Sequence, residues 1–212
     1  KASLIKVGRD IRPRQIKSRV EIKGLFNTYD GIKLKLLGRH QLVNAAAAVG
    51  AVESLNFYGF DITPYEIMSG LNEAVWPGRC EIVRRRPRVI LDGAQNIASM
   101  RALKAALLEG FPHRRLIMVL GISKDKDISG ICREVSGVAG EIITTQSRNP
   151  RAYPAKMLAG YFRGKKATAT SGVKEATELA LRIARKDDLI VFTGSLFVVG
   201  EARELFKRGL NG

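Results

Sequence analysis

From Cys80 onward, apolar runs of four to six residues alternate with stretches whose apolar residues recur at helical spacing. That rhythm constrains the fold more than any other feature of the chain. The strand-like runs are 80–84, 88–91, 115–120, 141–145, 167–170 and 188–192. The helical stretches between and after them are 97–108, 128–138, 154–162, 173–185 and 196–207. Strands that alternate with helices are joined by right-handed crossovers into parallel sheets with helices on both faces. The expected class is therefore α/β, a doubly wound and mostly parallel Rossmann-like sheet. In such sheets the functional loops lie beyond the carboxyl ends of the strands.

The first 78 residues read differently. A short strand is expected at 3–7 and a basic, proline-containing loop at 9–17. Two strand-like runs, 20–28 and 32–36, flank Tyr29-Asp30-Gly31, which predicts a β-hairpin turning there. An alanine-rich helix follows over 41–57, closed by Gly59. Its small side chains predict close packing against a neighbour. A second helix is announced by Thr63 as N-cap, Pro64 in the first turn and Glu66 completing a capping box. Trp76-Pro77-Gly78 then breaks the chain and marks the expected domain boundary, giving 1–78 and 79–212.

Composition narrows the function classes. A 45% hydrophobic content is enough for a packed core. The 36 Lys and Arg against 20 Asp and Glu leave a formal charge of +16, which favours anionic partners. The densest basic run, Arg84-Arg85-Arg86 with Arg88, has neither interleaved aromatics nor a recognition helix, so it reads as a solvated edge and no nucleic-acid partner is expected. Cys80 and Cys132 form no CxxC, and His40 and His113 are isolated, so neither a disulfide scaffold nor a zinc site is expected. No apolar run reaches the roughly 20 residues of a membrane span. Nothing at the start resembles a signal peptide. The chain begins at Lys1 rather than Met, so a piece of a longer protein is the expectation.

The loops that follow the strands carry the chemistry. They are Asp92-Gly93-Ala94-Gln95-Asn96, Gly121-Ile122-Ser123-Lys124-Asp125-Lys126-Asp127, the segment 144–151, and Thr193-Gly194-Ser195. Gly93 and Ala94 are small enough for a ligand to approach the backbone, and a carboxylate beside a helix N-terminus suits nucleotide binding. No G-x-G-x-x-G follows a strand, which argues against a dinucleotide-dependent oxidoreductase, and no G-x-x-x-x-G-K-[ST] is present. No G-x-S-x-G is present either, so a serine hydrolase is not indicated.

The series Leu37-Gly38-Arg39-His40-Gln41-Leu42-Val43-Asn44-Ala45-Ala46, Trp76-Pro77-Gly78-Arg79-Cys80-Glu81, Leu91-Asp92-Gly93-Ala94-Gln95-Asn96, 121–127, Pro150-Arg151-Ala152 and 193–203 resembles, in order, the C-terminal half of folylpolyglutamate and dihydrofolate synthases in the Mur ligase superfamily. The resemblance implies an enzyme that forms an acyl phosphate from ATP and a folate carboxylate, which the amine of L-glutamate then attacks. It implies ATP contacts at Asn44, Arg79 and Asp92, and catalytic positions at Gln95 and, more weakly, Ser195. The amide of Asn44 can donate to and accept from an adenine edge. The guanidinium of Arg79 can offset phosphate charge. The carboxylate of Asp92 can accept from ribose hydroxyls.

The same resemblance makes 1–78 the last part of a central ATPase domain and 79–212 a ligase domain. It places the P-loop and the Mg2+ ligands in a missing N-terminal part of the same protein, without which this chain is expected to be inactive. The implied partners are folate and L-glutamate, with no nucleic acid and no membrane, in a cytoplasmic monomer. Two departures stand out: the family has His where this chain has Gln95, and Pro where it has Ile97. Gln95 can donate a hydrogen bond but carries no charge. The alternative reading is a degenerate, non-catalytic module that binds a nucleotide or another anionic partner.

Overall fold

The structure is a computed structural model and describes residues 4–209. The chain divides between Trp76 and Pro77 into two compact units, each with its own core.

The first unit is a three-stranded antiparallel sheet, β1 (Arg12–Ile16), β2 (Arg19–Lys23) and β3 (Thr28–Ile32), packed against α1 (Arg39–Ser54) and α2 (Pro64–Glu73). Ile11, Val20, Ile22, Tyr29 and Ile32 meet Ala45, Ala46, Val49 and Ile67 in its core. Burying a large aliphatic side chain contributes about 1.5–3 kcal/mol. Here the alanines of α1 let the helix lie close to the sheet, as their size predicts.

Several expectations for this unit are corrected. The run expected as a loop at 9–17 contains β1. As an edge strand it is exposed along nearly its whole length, so it carries no apolar alternation, and it tolerates Pro13. Of the strand expected at 3–7, Ser3 lies outside the described residues, and Val7 makes only an isolated bridge to Ile11. The hairpin between β2 and β3 turns at 24–27 rather than at Tyr29-Asp30-Gly31. Gly31, at φ +73°, with its N–H donating to Asp30 Oδ1 at 2.6 Å, lies inside β3 opposite a shift in pairing register. The Asp-Gly signal thus produced a bulge, not a turn. Beyond Ile32 no strand continues to Leu36. The predicted 41–57 helix is α1 followed by a 3-10 turn, Leu55–Tyr58, which Gly59 ends at φ +83°. The capping box at Thr63 forms, with Glu66 N donating to Thr63 Oγ1 at 3.3 Å and Thr63 N to Glu66 Oε2 at 2.8 Å.

The second unit is a six-stranded sheet in the order β4-β5-β9-β6-β7-β8. Its strands are β4 (Glu81–Arg85), β5 (Arg88–Leu91), β6 (Leu116–Leu120), β7 (Glu141–Thr144), β8 (Ala167–Ala169) and β9 (Leu189–Thr193). Only β4 runs antiparallel, so the mostly parallel α/β class holds. Strand alternation divides the core in two. Ile90, Met118, Leu120, Ile142 and Val191 pack against α3 (Ile97–Gly110), α4 (Ile128–Ser136) and α5 (Ala155–Ala159). Val89, Leu91, Ile117, Val119, Ile143 and Phe192 face α6 (Val173–Ile183) and α7 (Leu196–Lys207). Central strands β6 and β9 are buried along their whole length, which is why they read as continuous apolar runs.

Candidate active site

Backbone hydrogen bonds knit the carboxyl ends of the strands into one rim. Gly194 N donates to Ala94 O at 2.9 Å, Gly121 N to Thr193 O at 3.2 Å, and Thr145 N to Leu120 O at 2.8 Å. The loops after β5, β9, β6 and β7 therefore continue the sheet past its regular end. Glycine is required here by the protein's own packing. Gly194 has φ +92°, and a Cβ on it would come to 2.5 Å from Gly121 O. A Cβ on Gly121 would lie 2.8 Å from Thr145 O, and one on Gly93 would collide with Leu196. At Gly93 the neighbour is the exposed side chain of Leu196, the first residue of α7, rather than backbone.

Asp92 is buried at the centre of this rim. Its Oδ2 accepts from Cys80 N at 2.9 Å and its Oδ1 from Ala94 N at 2.9 Å. The Cys80 thiol lies 3.6 Å from Oδ2. Burial, and then the Asp92 carboxylate, push that thiol well above the ordinary cysteine range. One N–H on Oδ1 leaves that oxygen a further lone pair.

The same carboxylate positions Arg79. Cys80, next to it in sequence, sits at φ +47°, and its N–H is held by Asp92. Gly78, on the other side, gives its carbonyl to Gly93 N at 2.8 Å and its N–H to Glu81 Oε2 at 2.8 Å. Glu81 is in turn gripped by Arg203 Nε at 2.8 and 3.0 Å. The backbone on both sides of Arg79 is thus pinned. The half-buried guanidinium makes no ion pair among the described residues, so its charge is free for an anion. Glu81 and Arg203 stood in the quoted motifs, but no sequence signal gave their tethering role.

Gln95 and Ser195 lie on the same rim, on the loops after β5 and β9. Gln95 is half-buried, and its N–H donates to Ser99 Oγ at 3.0 Å, within the capping box by which Asn96 starts α3. Ser195 is buried and caps α7, accepting from Phe197 N at 3.2 Å. Thr145, the residue after β7, holds the one buried side-chain hydroxyl without a hydrogen-bond partner among the described residues. Sequence reasoning did not single it out.

Two loops further along the rim are stapled together. Ser123 bridges Ala152, Lys124 N donates to Arg151 O at 2.8 Å, and Arg151 stacks 5.5 Å over the Phe197 ring. Asn44 belongs to the first unit. It is exposed in the second turn of α1, with Nδ2 donating to Gln41 Oε1 at 3.0 Å, while Gln41 Nε2 lies 3.0 Å from His40 Nε2. Arg79 and Asp92 are therefore brought together in the second unit, and Asn44 is oriented within the first. Among the described residues no group of three or more His, Cys, Asp or Glu comes together that could hold a metal ion. No helix among the described residues is long and apolar enough to cross a membrane.

The family model for the Mur ligase glutamate ligase domain matches residues 78–196, the rim and the sheet beneath it. The chain belongs to the Mur ligase family. A dihydrofolate synthase/folylpolyglutamate synthase of Mycobacterium tuberculosis is 30% identical over 210 residues, covering 89% of this chain and 43% of the relative. One from Bacillus subtilis is 30% identical over 183 residues, covering 84% and 42%. Among solved structures, M. tuberculosis folylpolyglutamate synthase complexed with ADP superposes with a TM-score of 0.85 at 28% identity, over 94% of this chain and 48% of that one. The chain thus spans less than half the length of these relatives.

Proposed function

We propose that this chain is the C-terminal portion of an ATP-dependent folate:L-glutamate ligase. The family match over 78–196 carries the reading, because it falls on the unit whose rim holds Arg79 and Asp92. Residues 1–78 are read as the end of the central ATPase domain and 79–212 as the ligase domain. ATP supplies the phosphoryl group that activates a folate carboxylate for attack by the amine of glutamate.

The residues present suit a nucleotide. Arg79 offers an unpaired guanidinium for phosphate, Asp92 a spare acceptor for ribose, and Asn44 an amide for the base. Gln95 and Ser195 are assigned to the transferring group and the glutamate. Asn44 belongs to the first unit, and Arg79 and Asp92 to the second. Mg2+ is assigned to ligands in the N-terminal portion, together with the P-loop. The working form is read as a cytoplasmic monomer.

The test is reconstitution. This chain, mixed with a separately produced N-terminal portion, Mg2+, ATP, folate and glutamate, should release phosphate in step with glutamate incorporation. No turnover under these conditions overturns the proposal. In the assembled protein Gln95→His should raise the rate about tenfold, the worth of one charge-assisted contact of about 1.4 kcal/mol. A rise to measurable turnover from none would favour the degenerate, non-catalytic reading instead.

A further inference from the structure

The opposite edge of the same sheet has a different character. A cavity of about 470 Å3 opens at the amino ends of β5, β6 and β9 and is lined by Arg85, Arg86, Arg88, His113, Arg114 and Lys186. Five of these are permanent cations. Asp187 and Asp188 also line it, but Asp188 is already neutralised. It is buried, and its Oδ2 accepts from Arg115 at 2.7 Å and from Arg185 N at 2.8 Å. Arg85, Arg86, Arg114 and Lys186 are exposed and make no ion pair among the described residues. The two carbonyl-end helix termini at this edge, of α3 and α6, contribute only about half a negative charge each. They do not balance the excess. Cations crowded around one cavity repel one another, and a bound anion removes that cost.

The floor of the cavity is preformed. Arg114 N donates to Asp187 O at 3.1 Å and Leu189 N to Arg115 O at 2.9 Å, which locks the two loops together. Arg115 also donates to Ile183 O at 2.8 Å. The Arg88 guanidinium is held 5.8 Å over the buried Phe111 ring. A rigid base with four arginines to one lysine suits oxyanions that accept bidentate hydrogen bonds. The volume lies in the ordinary range of small-ligand pockets, about 300–1,000 Å3.

We infer that this cavity is a second anion site, which takes a compact oligophosphate and is separate from the rim around Asp92. Arg88 and Asp92 stand at opposite ends of β5, about 13 Å apart at strand rise. A ligand in the cavity therefore leaves the rim untouched.

Tripolyphosphate, titrated calorimetrically into this chain at low salt, tests the inference. Binding is expected, and Arg86→Ala/Arg114→Ala should weaken it at least about tenfold, the worth of two lost charge-assisted contacts. Both residues are exposed and crowded by like charge, so the melting temperature without phosphate should not fall. Arg86→Lys/Arg114→Lys should recover part of the affinity, and the double alanine change should weaken binding by the same factor in an Arg79→Ala background. Three results would overturn the assignment: no binding; binding unaffected by the double alanine change; or complete loss of binding in Arg79→Ala, which places all the phosphate on the other edge. A short γ-glutamyl peptide that binds more tightly than tripolyphosphate and competes with it would overturn the choice of phosphate over carboxylate.

Discussion

Glu53 in the first unit and Asp92 in the second are both buried carboxylates that collect N–H groups from a neighbouring turn, yet they differ in how much of each carboxylate is used. Glu53 accepts from Leu25 N, from Asn27 N at 3.2 Å and from Tyr29 Oη at 2.8 Å, with Phe26 N at 3.4 Å. Three of these donors crowd Oε1 and one sits on Oε2, so Glu53 binds twice as many protein N–H and O–H groups as Asp92 binds backbone N–H groups. Burial, and then this hydrogen bond, push the Tyr29 hydroxyl up to about 12. Asp92 accepts from two backbone N–H groups and keeps capacity on Oδ1. Glu53 gathers a whole turn, Leu25 to Asn27, together with the Tyr29 hydroxyl. Asp92 fastens Cys80 and Ala94 and keeps a lone pair on Oδ1. The number of protein donors gathered by a buried carboxylate thus measures how far it is committed to holding the fold.

Substitution should separate the two further. Glu53→Gln sets an amide NH2 among four donors and should cost about 3 kcal/mol or more. Hydrogen exchange at the amides of 25–27 should accelerate accordingly, and unchanged protection would show that the turn holds without the charge. Asp92→Asn should cost less, about 1–2 kcal/mol. In the assembled protein it should also lower ATP affinity, which Glu53→Gln should not do. Equal effects of the two on ATP binding would remove the distinction.

Asp188 gives a third case, held by a cation as well as by backbone. Burial alone would raise its pKa, but the hydrogen bond from Arg115, with that from Arg185 N, brings it below the ordinary 3.8. A lowered folded value contributes stability above about pH 4 that is lost as pH falls through that value. Asp188→Asn should therefore destabilise at pH 7 by about 1–2 kcal/mol, and the gap to wild type should close as pH falls below the ordinary carboxylate range. A constant gap would assign the loss to packing instead. The smallest effect is expected at the thiols. Cys80 and Cys132 are both buried, and burial, then Asp127, pushes Cys132 up to about 12. Iodoacetamide at pH 8 should leave both unmodified until the chain unfolds.

The second unit was legible because its strands are buried on both faces and its helices are periodic. The boundaries of β5 and α7 match the sequence reading to the residue, and the other elements differ only at their ends. In the first unit the relevant facts are non-local. β1 gains its strand conformation from pairing with β2, which no alternation in Arg-Pro-Arg-Gln-Ile announces. The turn at 24–27 is set by a carboxylate 26–28 residues further along the chain, on α1. The site was partly legible for a similar reason. The motif containing Asp92 was readable, while its partners at Cys80 and Ala94, and the hold of Glu81 on Gly78, emerge only from the fold.

The last strand of the chain lies in the middle of the sheet: β9 pairs with β5 on one side and β6 on the other. While the protein is being synthesised, β5 and β6 therefore have a vacancy between them until Leu189–Thr193 has left the ribosome. Until then the nascent sheet exists as two ribbons with exposed hydrogen-bonding edges, the form most open to aggregation or capture by chaperones. A stop codon shortly before residue 189 would leave β4 to β8 intact in sequence and yet remove the seam that makes the sheet one piece.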